Sequence, residues 1–64
     1  MSKVRLLIDI DAEGVHIPAG TVCLVEQRYA ADEKHPVEVL DLIAGDKRTG
    51  VLFWATADEV EFYM

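Results

Sequence analysis

Residues 45–55 read Gly45-Asp46-Lys47-Arg48-Thr49-Gly50-Val51-Leu52-Phe53-Trp54-Ala55, and residues 37–43 before them read Val37-Glu38-Val39-Leu40-Asp41-Leu42-Ile43. A polar turn with glycine at both ends thus joins two segments rich in β-branched and aromatic residues, which is the pattern of a β-hairpin. Successive side chains of a strand point to opposite faces. Phe53 and Trp54 therefore cannot share one core, and neither can Phe62 and Tyr63. With Phe53 and Phe62 packed inward beside Val51 and Val60, Trp54 and Tyr63 are directed outward.

The rest of the chain is read outward from this hairpin. Residues 4–10 alternate, with Val4, Leu6, Ile8 and Ile10 on one face and Arg5, Leu7 and Asp9 on the other, and predict a first half-buried strand. Asp11-Ala12-Glu13-Gly14 and Ile17-Pro18-Ala19-Gly20 are turn signals that bracket one loop, with a short extended piece at 15–17. Residues 21–29 predict a second strand, with Val22 and Leu24 on one face and Cys23 and Val25 on the other. Residues 30–35 form a loop, because Pro36 forbids a helix from continuing through it. After the hairpin, Thr56-Ala57-Asp58-Glu59 has the form of a capping box, which predicts a single helical or 3₁₀ turn. Val60, Phe62 and Met64 then resume the alternation in a last strand.

The predicted order is strand, long loop, strand, loop, strand, tight hairpin, strand, one helical turn, strand. It resembles the SH3-like small β-barrels, on Ile17-Pro18-Ala19-Gly20-Thr21 before the second strand and Thr56-Ala57-Asp58-Glu59-Val60 before the fifth. The resemblance implies an all-β fold: one five-stranded SH3-like barrel spanning residues 1–64, with the short turn before the last strand. Val4-Arg5-Leu6-Leu7-Ile8-Asp9 and Gly14-Val15-His16-Ile17-Pro18-Ala19-Gly20-Thr21-Val22 are also similar to the openings of short uncharacterised bacterial and phage proteins. That similarity implies a mobile-element or accessory context.

Composition limits the function. A chain of 64 residues has room for one domain, and such a domain buries only about 60% of its unfolded surface. Twelve acidic against six basic side chains give a net charge of −6, so the average field repels phosphate backbones and anionic headgroups. Direct nucleic-acid binding and membrane binding are not expected. The lone Cys23 has no partner for an internal disulfide, which fits a reducing cytoplasm. Nothing resembles a signal peptide, and no apolar run approaches the roughly 18 residues of a membrane helix. A soluble, cytoplasmic protein is expected.

Few residue groups suggest chemistry. Asp9-Ile10-Asp11-Ala12-Glu13-Gly14 begins like a calcium loop, but the twelfth position, where a bidentate carboxylate belongs, is Gly20. A solvated acidic turn is the expectation. His16 and His35 read as loop residues, and together with Cys23 they are too few and too far apart for a structural zinc site. Cys23 lies within a predicted strand, where small apolar packing is the commoner role. The Lys47-Arg48 pair at the hairpin tip lacks a phosphate-loop pattern. No cofactor, metal or catalytic residue is assigned, and the chain is not expected to be an enzyme.

The aromatic residues carry the functional expectation. Trp54, Tyr63, Tyr29 and Leu52, with Leu40 and Leu42 as further candidates, predict a contact surface, and Asp58, Glu59 and Glu61 predict an acidic rim that selects a basic partner surface. The expected role is a noncatalytic protein-interaction module that is also free to form a homodimer or a higher homo-oligomer. Two alternatives stand beside it. One is an acidic nucleic-acid mimic that inhibits a host enzyme by presenting Asp9, Asp11, Glu13, Asp58, Glu59 and Glu61, and the other is a non-autonomous enzyme subunit.

Overall fold

A computed structural model describes residues 2–45, 48 and 50–63. The chain is all-β. Its strands are β1 (Lys3–Leu6), β2 (Ile10–Ala12), β3 (Val15–Ile17), β4 (Val22–Tyr29), β5 (Val39–Ala44), β6 (Val51–Thr56) and β7 (Val60–Phe62), with a 3₁₀ turn, Ala57–Glu59, before the last. Five strands form an antiparallel sheet in the order β6-β5-β4-β1-β7, and β2 and β3 form a separate hairpin.

Three expectations are corrected here. The residues from 4 to 10 do not make one strand, because β1 stops at Leu6 and the chain leaves the sheet, exposing Leu7 and Ile8. The Asp9 carboxylate accepts the Ala19 N–H at 2.7 Å and pins the base of the departing loop. Inside that loop the extended piece at 15–17 pairs with Ile10–Ala12, so His16 lies on strand β3 and not in irregular chain. The five-stranded barrel is likewise not closed: β6 and β7 end the sheet, and among the described residues no ladder joins them. Seven strands in two sheets take its place.

The predicted hairpin is present, with Leu42 opposite Phe53 and Leu40 opposite Ala55. Asp46, Lys47 and Thr49 of its tip lie outside the described residues, as does Met64. The Glu59 carboxylate accepts the Thr56 N–H at 2.8 Å and the Thr56 hydroxyl at 2.8 Å, which satisfies an amide freed by the chain reversal.

The core lies between the inner face of the large sheet and the β2–β3 hairpin. Val4, Leu6, Cys23, Leu40, Leu42 and Ala55 are almost fully buried on the sheet side, and Ile17 meets them from β3, with Ile10 and Ala12 packed beside it. Phe53 is buried as expected at 7% exposure. Small domains have little stability to spare, roughly 0.05–0.15 kcal/mol per residue. Fully burying one Leu side chain contributes about 1.5–3 kcal/mol, so this layer of side chains accounts for much of why the chain folds.

One irregularity decides what the outer face carries. The β4–β5 register shifts between Val25 and Gln27, leaving Glu26 as an extra residue in β4. Before this bulge the odd-numbered Cys23 and Val25 face the core. After it, Arg28 stands opposite Leu40 on the core side, while Gln27 and Tyr29 pair with the outward Asp41 and Val39.

Candidate interaction surface

The outer face of the five-stranded sheet is organised in cross-strand rows. Leu52, Ile43 and Leu24 form one row, Trp54, Asp41 and Gln27 the next, and Thr56, Val39 and Tyr29 a third. Trp54 is 66% exposed and Leu52 55%, although both lie in a regular strand. Such side chains cost hydration when left in water, and amphipathic rings of this size are enriched at protein contacts. Ile43 is buried on this outer side, flanked by Leu52 and Leu24 and apart from the main core. It was missed in the sequence, where the only signal was the loss of alternation in Leu42-Ile43-Ala44.

Tyr29 is half exposed, and its hydroxyl donates to Asp41 Oδ2 at 2.9 Å. This bond, with the negative charge of Asp41, raises the Tyr29 pKa above its ordinary value, because ionising the phenol would break the bond and place two negative charges together. Trp54 and Tyr29 thus flank one carboxylate. Tyr63 is half exposed beyond the end of β7, where its N–H donates to the Lys3 carbonyl at 3.0 Å.

Two expected members of the surface are placed differently, and one expected core residue is only partly covered. Leu40 and Leu42 are fully buried in the core, because the β5 residues that face outward are Val39, Asp41 and Ile43. Phe62 is on the core side, in register with Val4, but remains 37% exposed at the sheet margin. The Arg28 guanidinium covers it, 4.9 Å from the ring centroid, and Arg28 also donates to Glu38 at 2.7 Å.

The acidic rim is present but engaged with its own chain. Glu61 pairs with Arg5 at 2.5 Å, Glu59 caps the 3₁₀ turn, and Asp58 accepts the Thr56 hydroxyl. On the hairpin, Asp11 binds His16 Nδ1 at 2.7 Å, and Asp9 Oδ2 is 3.7 Å from His16 Nε2. The Asp11 hydrogen bond is the main cause of a raised His16 pKa, and the charges of Asp11 and Asp9 add to it. These carboxylates are occupied by histidine and backbone, and among the described residues no group of three or more His, Cys, Asp or Glu is arranged to hold a metal ion. Cys23 is buried, and desolvation raises its pKa, the opposite of what an attacking thiolate requires.

Concavities on the described surface include two that adjoin these aromatics. One, of about 350 Å³, lies between Tyr29, Ala30, Asp32, His35, Val37 and Val39. The other, of about 400 Å³, runs between β2 and the edge of β6 and is lined by Ile10, Asp11, Ala12, Glu13, Leu52, Phe53 and Trp54. At its end Glu13 and Gly14 form the two-residue hairpin turn with φ of 50° and 75°, both left-handed as a type I′ turn demands. Gly14 adopts this at no steric cost, whereas Glu13 does not. Among the described residues no helix is long and apolar enough to cross a membrane.

Comparison with known protein families, curated proteins and solved structures returns no match for this chain.

Proposed function

We propose that this chain is a noncatalytic protein-interaction module that docks a protein partner on the outer face of its five-stranded sheet. The observation that carries this reading is the row arrangement of Leu52, Trp54 and Tyr29, large side chains on regular strands that remain exposed among the described residues. Rigid aromatics lose little conformational entropy on binding, which makes them efficient anchors. The strand order, with the last strand beside the first and a single 3₁₀ turn before it, supports an SH3-like reading of the roll. The net charge of −6 favours a basic partner and opposes close packing of identical copies. The internal pairing of Glu59, Glu61, Asp9 and Asp11 favours this role over nucleic-acid mimicry, which needs carboxylates presented without partners. The buried Cys23 likewise supports a noncatalytic role.

The test compares the wild-type chain with Trp54→Ala and Tyr29→Ala in quantitative affinity capture and in sedimentation velocity. A specific partner held by the wild type and lost by both variants, with circular dichroism unchanged, is the expected result. Identical recovered proteins and identical oligomeric state for all three chains would remove the proposal.

A further inference from the structure

The groove between β2 and β6 has a chemistry of its own. Its lining is mostly apolar, from Ile10, Ala12, Leu52 and Phe53, with the exposed Trp54 contributed by β6 and Asp11 and Glu13 by β2 and its turn. Two of the seven lining residues are acidic and none is basic. The β6 wall is the last strand of its sheet, so the backbone groups on its outer edge have no ladder partner among the described residues. Such an edge accepts an added strand by main-chain hydrogen bonding.

We infer that this groove binds an extended basic segment of a protein partner, with a lysine or arginine side chain laid on the Trp54 indole and its cation facing Asp11 and Glu13. The inference rests on the interaction-module reading and names its partner chemistry. A cation over an indole face and a carboxylate within reach are the two contacts that recognise such a side chain, and the groove lining contains both kinds of residue. Charge selects this occupant over the others. A second copy of the chain brings another −6, and an acidic or phosphorylated segment would meet Asp11 and Glu13 unpaired. His16 engages one oxygen of Asp11, and Glu13 lines the groove from a left-handed backbone position that costs strain to hold.

The probe is a short synthetic peptide alternating arginine with valine, set against one alternating glutamate with valine, titrated into the full chain. Trp54 is the only tryptophan, so its emission reports occupancy directly, and amide chemical shifts locate the site. The basic peptide is expected to saturate a shift confined to β2 and β6 and to weaken as salt rises. The pair Asp11→Asn with Glu13→Gln should weaken it about tenfold while circular dichroism stays unchanged. Equal binding of both peptides, shifts centred elsewhere, concentration-dependent self-association filling the groove, or an undiminished affinity in the double variant would each overturn the inference. Partner binding lost in Tyr29→Ala but kept in the Asp11/Glu13 double variant would overturn the groove alone and leave the outer-face reading standing. Peptide binding lost in the double variant while Tyr29→Ala binds every partner normally would support the groove and remove that reading instead.

Discussion

Asp41 stands directly across from Trp54 on the outer face of the sheet, in register between β5 and β6. The same carboxylate accepts the Tyr29 hydroxyl at 2.9 Å, so one acidic side chain orients the aromatic residue on the strand beyond it. Asp41→Asn should therefore lower the Tyr29 pKa toward its ordinary value of 10.0. Ultraviolet titration of tyrosinate, with Tyr29→Phe to assign the transition, measures this. No downward shift would mean that the hydrogen bond is not formed in solution.

The His16 contacts give a pH dependence whose sign is fixed. The folded-state pKa is raised above 6.5, so the protonated ring is the form the hairpin stabilises. That contribution is complete below pH 6.5 and is lost as the pH rises through the higher folded value. The imidazole carbon protons followed by nuclear magnetic resonance should titrate above 6.5, and Asp11→Asn should bring the midpoint down. The exposure of the pair keeps the effect on global stability small.

Leu42 is fully buried opposite Phe53. Leu42→Ala should cost about 2–5 kcal/mol, a large share of what a domain of this size has. Urea denaturation followed by circular dichroism measures it. Leu52→Ala, on the exposed face, should move the midpoint by less than about 0.5 kcal/mol.

Glu13→Asn should stabilise the protein, because asparagine tolerates the left-handed conformation that Glu13 adopts at φ 50°. A gain of about 0.5–1 kcal/mol, or roughly 4 °C in melting temperature, is expected. If the groove binds basic segments, the same substitution weakens that binding, so stability and affinity should move in opposite directions at one residue.

Much of this fold was legible wherever alternation runs uninterrupted. Phe53 and Trp54 separate to opposite faces as two-residue periodicity demands, and Glu59 closes its cap at the spacing read from Thr56. What was hidden depended on contacts between distant residues. Ile8 continues the pattern of Val4 and Leu6, yet the chain has already turned away to build the β2–β3 hairpin. The all-apolar stretch Leu42-Ile43-Ala44 gives no sign of which members face inward, and the sheet decides it by pairing Leu42 with Phe53 and Ile43 with Leu52. Phe62 faces the predicted side but sits at the sheet margin, where it stays 37% exposed and the Arg28 guanidinium covers its ring. The outer face proposed for contact was half visible: Trp54 and Tyr63 were read as outward and are exposed, but their companions Ile43 and Leu24 on that face were not read.

The extra residue in β4 has a final consequence. Counting by twos from Cys23 and Val25 would turn Tyr29 under the sheet and bring Arg28 out beside Asp41, making the centre of the outer surface cationic. Glu26 offsets that count by one. Whether this protein shows its surroundings a phenol or a guanidinium is thus set by how the strand accommodates a neighbour that is neither: paired in an unbroken ladder, Glu26 would turn the guanidinium out, whereas set aside as the extra residue it leaves the phenol outward, as its deletion would too.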